Sequence, residues 1–419
     1  MNIGNRLHYL MKAHKRPAPD FSDGPILEVE WEQLLFGRLP LIESQAEYLA
    51  DLWNIPVAYL EDYNEKDLTV FRKLQSLQHE LLTNKEQASE TIQTLDKPWA
   101  LASLTQEVIF HLLKSIYLYK NNFKTEAEKI EADYLSYMLP DHNVLTESSA
   151  FQKALFYYYG VKYFYEGKQE ESFAYFERLL EKTNDEDEVV SIMQNLALIT
   201  MNNQDYDQAI AYMKRLNEFS LAQKNNRGLS IALNYLGVLH MLKESYPTAI
   251  QYFEKMQKLD LDPVTESRMQ HNLGVLYYKL NKYQQALQKY RVALQLIEDH
   301  DLDEGLFDEL HAIAKINFFL KNKEAADCYL EKARQAAGNE DEITLAKLLQ
   351  AEMLAGENIS RAILLYEEVI AYYEALQNKR KLEEIYPVVA ELYSEKAKQL
   401  KQKHEQLHID EAASDSKEA

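Results

Sequence analysis

Glycine and proline are scarce, 11 and 10 among 419 residues. That scarcity excludes a turn-rich β-sandwich or barrel, whose many short strands need both. Cysteine is nearly absent: Cys328 stands alone, no intrachain disulfide can form, and the expected compartment is the cytoplasm. No apolar run approaches the roughly 20 residues that span a bilayer. The opening MNIGNRLHYLMKAHKR also lacks the unbroken apolar stretch of a signal peptide, so no membrane partner is expected. Basic residues are outnumbered, 46 Lys and Arg against 67 Asp and Glu, leaving a net charge of −21. A surface that grips nucleic acid along its whole length is thereby excluded, though a small basic module on an acidic body is not. Chemistry-bearing motifs are missing as well. The eleven histidines show no metal spacing, and there is no HExxH and no Gly-rich phosphate cradle. No catalytic residue, metal or cofactor is expected, and the chain does not read as an enzyme.

What the chain does have is helix-forming material. Hydrophobic residues make up 46% and Tyr reaches 29, while Ala, Leu, Glu, Lys and Gln dominate the rest. A register of small residues runs Gly160, Ala197, Gly237, Gly274, Ala314, then Gln350 and Ala390. Twelve residues beyond the first six lie Ser172, Ala209, Ala249, Ala286, Ala326 and Ala362. Four further on come Phe176, Met213, Phe253, Tyr290, Leu330 and Tyr366. A small residue lets two helix backbones approach, and a large one a turn later fills the next gap. Recurrence at this period predicts a solenoid of helix pairs. Turns are expected at Glu166-Gly167, Asn202-Asn203 and Asn281-Lys282, and Pro247 and Pro263 suit first helical turns. Cys328, in the second helix of its pair, is read as a buried apolar residue.

This pattern resembles the tetratricopeptide repeat, best at 236–256 and 273–293 and least at 349–369, where Gln350 replaces the small residue. The expected fold is all-α, with an array of such repeats over 150–403 ending in a capping helix. Residues 66–149 read as less regular helical repeats, in which Phe123 and Ala127 echo the pattern. From 404 to 419 the chain is polar and aperiodic, and reads as a disordered acidic tail. The lysines at 396, 398, 401 and 403 are expected on the solvated face of the capping helix.

Residues 1–65 do not fit the repeat. Ile3–His14 is predicted as an amphipathic helix with Arg6, Lys12, Lys15 and Arg16 in or just beyond it. The stretch 43-ESQAEYLADLWNIPVAYLEDY-63 resembles the last two helices of a Cro/C1-type helix-turn-helix domain, and 25-PILEVEWEQLLFGRLPLIES-44 its recognition helix and following turn. Two departures mark the head as degenerate. The chain reads RPAPDFSDG where that family has its second helix, and prolines oppose a regular helix there. The recognition segment carries Glu28, Glu30 and Glu32 and no basic residue before Arg38, and carboxylates repel phosphates. DNA contact, where it occurs, is assigned to Arg6, Lys12, Lys15, Arg16 and Gln33.

Head and repeats together resemble the Gram-positive peptide-pheromone-responsive regulators, the group of the neutral-protease and virulence regulators and the Rap phosphatases. That resemblance implies a cytoplasmic homodimer whose concave repeat groove binds a short signalling peptide and alters DNA binding by the heads. The alternative is a Rap-like regulator that has lost DNA binding and sequesters a partner protein. By analogy the groove positions are Asn195, Asn234, Arg268, His271, Asn272, Tyr158, Met201, Met241 and Tyr278, with Tyr157, Phe164 and Phe318 beside them. An asparagine amide can bind both the C=O and the N–H of an extended peptide. Against that stands the plain reading in which the asparagines brace helices and the aromatic residues pack the core. Arg268 and His271 would meet a peptide carboxylate, or simply Glu266.

Overall fold

The computed structural model describes residues 2–418 apart from 16–18, 20, 22–23, 84–87, 140–147 and 303; beyond 405 it describes the backbone alone. The protein is all-α, with no strand among the described residues. It divides into two compact units, Met1–Leu239 and His240–Ala419. The first begins with α1 (Ile3–Ala13), α2 (Glu28–Leu35), α3 (Glu43–Trp53) and α4 (Ala58–Glu61). It continues with α5 (Leu68–Thr83), α6 (Ala88–Leu95), α7 (Leu104–Lys120), α8 (Lys124–Ile130) and the short α9 (Ser136–Met138). Then come α10 (Ser149–Tyr165), α11 (Gln169–Glu181), α12 (Glu186–Asn202), α13 (Tyr206–Gln223) and α14 (Asn226–Leu242), whose last turn belongs to the second unit. That unit adds α15 (Tyr246–Met256), α16 (Pro263–Lys279), α17 (Tyr283–Asp299), α18 (Leu306–Phe319) and α19 (Lys323–Ala336). It closes with α20 (Glu340–Leu354), α21 (Ile359–Ala375) and α22 (Lys379–Glu418).

The helices pack as hairpins, α10 on α11, α12 on α13, α16 on α17, α18 on α19 and α20 on α21. Their starts are set by side chains that accept from an orphan amide three residues on: Asp185 from Glu188, Asp205 from Gln208, Asp262 from Thr265 and Asn339 from Glu342. Pro247 and Pro263 lie in first turns. The turn inside each hairpin is built the same way. Gly167, Gln204, Glu244, Asn281 and Lys321, each seven residues past the small residue, all have positive φ. In each turn that residue's amide bonds back three residues and the next amide bonds back five, which satisfies carbonyls the helix end would leave orphaned. Asn122 repeats the device between α7 and α8, with Phe123 N–H reaching Leu118 O at 2.9 Å.

The seam follows the register. Ser172, Ala209, Ala249, Ala286, Ala326 and Ala362 are fully buried, and the large residues four later are all buried too. A Cβ on Gly274 would lie 2.6 Å from the Tyr290 ring, and one on Gly160 3.0 Å from the Phe176 ring. Glycine thus relieves the close approach of the Tyr290 and Phe176 rings, while Gln350, sixteen positions before Tyr366, departs from this pairing. Ala197 and Ala314, opposite the more compliant Met213 and Leu330, keep a methyl at full burial.

Three expectations need correction. Cys328 is exposed: α19 buries only its Ala326, Leu330 and Ala333 stripe, and position 328 lies off it. The segment from 404 has a helical backbone, as α22 runs unbroken to Glu418. Finally, Ala390 is exposed, since no following helix packs on α22 to use a small residue.

Candidate functional site

Arg6 is fully buried in the first unit, so it cannot contact phosphate. Its guanidinium donates to Glu107 Oε2 at 2.6 Å, to the Ala102 carbonyl at 2.7 Å and to the Tyr59 carbonyl. Tyr59 OH donates to the other oxygen of Glu107 at 2.5 Å. Burial opposes the charge on Arg6 and is the largest single influence, but Glu107, Tyr59 and Tyr134 together outweigh it and raise the pKa above the ordinary arginine value. The residue pins α1 of the head to α7. The same helix meets α9, where Asn5 donates to the Tyr137 carbonyl at 3.0 Å and Lys12 Nζ lies 4.9 Å from the Tyr137 ring. Lys12 and Lys15 are exposed, Gln33 is half-buried on α2, and Arg16 lies outside the described residues.

In the same unit Asn195 lines a pocket of about 180 Å³ with Lys120, Tyr157, Phe164, Phe176 and Leu198. Lys120 Nζ donates to the Leu81 carbonyl at 2.6 Å, and Tyr157 OH donates to that carbonyl at 2.9 Å. Burial lowers the Lys120 pKa to about 8, so at neutral pH the ammonium is retained in a mostly apolar cleft. An ammonium and an amide set among aromatic rings suit a carbonyl or carboxylate oxygen attached to an apolar body. Lys120 carries no sequence signal, since α7 lies before the regular register. Tyr158 does not join the pocket: it is 1% exposed, held where α10 packs against α7. Asn234 is half-buried on α14, and its neighbour Tyr235 accepts from Gln194 of α12 at 3.3 Å. These first helices of successive pairs therefore run side by side. Met201 is half-buried at the end of α12.

In the second unit Arg268, His271, Asn272 and Tyr278 share α16. Arg268 pairs with Glu304 at 2.7 Å and His271 Nδ1 with Glu309 at 2.6 Å, so the partners come from the next hairpin and not from Glu266. Burial opposes protonation of His271 and is the largest single influence, yet the bond to Glu309 and the charges of Glu309 and Asp308 together outweigh it and raise the pKa. Its ring also meets the edge of Tyr290, 5.5 Å between centroids, so it braces α16 against α17. Tyr278 packs with Tyr283 and Phe319. Met241 is buried at 6% exposure and does not line an open groove. A further cleft of about 450 Å³ lies between α19 and α20, lined by Phe318, Leu330, Arg334, Gln350, Met353 and Glu357. Gln350, the residue that breaks the register, sits on its wall with Arg334 Nη1 at 3.4 Å.

No group of three or more His, Cys, Asp or Glu among the described residues is placed to hold a metal ion. No described helix is long and apolar enough to cross a membrane.

The tetratricopeptide repeat family matches residues 268–300, which span α16 and α17. No curated protein matches the chain. Among solved structures it is similar to the apo form of the quorum sensor NprR from B. thuringiensis, at 17% identity and TM-score 0.53, covering 78% of this chain and 99% of that one. It is also similar to apo RapI, at 16% identity and TM-score 0.53, covering 78% and 97%. NprR in complex with its cognate peptide NprX matches at 19% identity and TM-score 0.50, covering 78% and 99%. At these identities the likeness is one of fold: the chain is built from helical repeats of the kind found in NprR and RapI.

Proposed function

We propose that this chain is a cytoplasmic, homodimeric regulator that binds a short linear peptide on the first helices of its repeats, with Asn195 as a contact to the peptide backbone. The observation that carries this reading is the Asn195–Lys120 pocket, an amide and an ammonium opening among aromatic side chains. The fold likeness to NprR, which is described with a bound cognate peptide, supports it. Asn234 and the half-buried Met201 extend this set within the first unit, and Asn272, Arg268, His271 and the half-buried Tyr278 form a candidate set of their own on α16 of the second.

For the output, DNA binding by the head and contact with a partner protein are the two readings. The partner protein is favoured by Arg6, which is consumed inside the fold, and by an α2 that carries Glu28, Glu30 and Glu32 but no basic residue.

The test is a thermal-shift screen of the full-length protein against a library of short linear peptides, followed by calorimetry on any hit. Asn195→Ala should leave the melting temperature of the free protein unchanged and weaken the hit by about 1–3 kcal/mol, the cost of a lost buried hydrogen-bond partner. A library without hits, or a hit indifferent to both Asn195→Ala and Asn272→Ala, overturns the assignment.

A further inference from the structure

The α2 helix has two faces of different character. One buries Trp31 and Leu34 in the head core. The other leaves Val29 70% and Phe36 65% exposed, followed by Leu39 at 41% and Ile42 at 55% in the turn beyond. Helical spacing of three and four places Val29, Glu32 and Phe36 on one stripe, with Glu28 beside Glu32. Both glutamates are exposed. Glu30 is engaged locally at the start of α2, accepting from the Leu27 amide at 3.1 Å. Phe36 is held in place by the turn that follows it. Gly37 has φ +64°, a Cβ there would meet Asn2 at 2.2 Å, and Arg38 N–H bonds to the Gln33 carbonyl at 2.8 Å. The turn fixes the backbone at Phe36, and an aromatic side chain with only two rotatable bonds loses little freedom on binding; such residues anchor interfaces.

We propose that this face, Val29, Phe36, Leu39 and Ile42 rimmed by Glu28 and Glu32, docks a partner protein that presents an apolar ridge flanked by Lys and Arg. The proposal rests on the reading that the head acts through a protein. Charge complementarity selects the occupant. Across 25–44 there are four carboxylates and one basic residue, Arg38, whose guanidinium lies 5.1 Å over the Phe36 ring. DNA phosphates would meet those carboxylates unfavourably. A second copy in a two-fold arrangement would set the same glutamates against each other, which like-charge repulsion opposes. An apolar ridge with a basic rim satisfies both the exposed apolar side chains and their acidic border.

The experiment uses full-length protein and two synthetic amphipathic helices with the same leucine face, one flanked by lysines and the other by glutamates. Calorimetry should show saturable binding of the lysine peptide and none of the glutamate peptide. Val29→Ser and Phe36→Ser remove no charge and, being at exposed positions, leave helicity intact. Each should weaken binding by about tenfold or more. Equal affinity for wild type and both variants would mean that the peptide reads only the overall negative charge, and would overturn the proposal. So would absence of binding, self-association in sedimentation that Phe36→Ser abolishes, or binding of the upstream DNA that the same change abolishes. A peptide that uses the repeat groove instead is recognised because Asn195→Ala, and not Phe36→Ser, weakens it, so failure here and failure of the groove assignment are told apart.

Discussion

The His111 ring centroid lies 4.1 Å from that of Tyr134 and 5.3 Å from that of Phe110. Burial lowers its pKa to about 4, with Lys114 adding to the shift and Glu107 and Asp96 opposing it. The unfolded chain titrates this histidine near the ordinary value of about 6.5. Below that pH the unfolded state takes up a proton that the folded state refuses, so stability falls as pH drops from there towards 4. His111→Phe keeps the ring contacts and removes the titration. Its acid transition should begin at lower pH than that of the wild type, while stability above neutral pH stays close to unchanged; denaturant midpoints across pH 4–8 measure both limbs. His311 in the second unit is lowered to about 4 as well, again by burial first, so part of the acid sensitivity should remain. An acid limb identical to wild type would show that His111 is hydrated or protonated in the folded state.

At the scale of helix pairs, Gly274 approaches Tyr290 more closely than Gly160 approaches Phe176. Gly274→Ala puts a methyl 2.6 Å from the ring of Tyr290, and overpacking of this kind costs about 1–3 kcal/mol. Gly160→Ala, with more room against Phe176, should cost less. Tyr290→Leu restores the alanine-to-leucine pairing seen at Ala314 and Leu330, so in the double variant part of the Gly274→Ala penalty should disappear. A cycle of denaturation midpoints measures the coupling, and strict additivity would show that the two residues do not meet. This level of structure was the most legible in the sequence, because the seam needs particular residue sizes at fixed spacing. The hairpin turns were less so: Gln204, Glu244 and Lys321 adopt a left-handed conformation that their residue types do not announce. The candidate pocket was legible in one lining residue and obscure in the next. The register located Asn195, but not Lys120 beside it, which comes from a helix outside the regular pattern. Tyr158 and Met241 occupied groove positions by analogy, yet tertiary packing turned them inward. A residue's place along a helix gives its stripe, and only the neighbouring helices decide whether that stripe is open.

For the molecule as a whole, the acidic balance of −21 leaves any DNA contact to a few local charges, and the structure withdraws one of them. With Arg6 paired to Glu107, Lys12 and Lys15 are the exposed basic residues of the first helix and its end among those described. Each phosphate neutralised contributes a slope of about −0.9 to the dependence of log affinity on log salt. Two or three contacts therefore give weak binding that vanishes at moderate salt. Arg6→Ala should show where that residue acts. It leaves Glu107 buried without its partner, a loss worth about 3–5 kcal/mol in comparable pairs, so the denaturation midpoint should fall sharply. In anisotropy measurements with a duplex of its own upstream region, the full-length wild type should show no saturable binding at physiological ionic strength, and Lys12→Ala with Lys15→Ala should remove what appears at low salt. Nanomolar, sequence-selective binding that survives those two substitutions would place the reading surface elsewhere and restore DNA as the output of the head. An Arg6→Ala variant as stable as wild type would show that the Glu107 pair does not hold the head to the helix behind it.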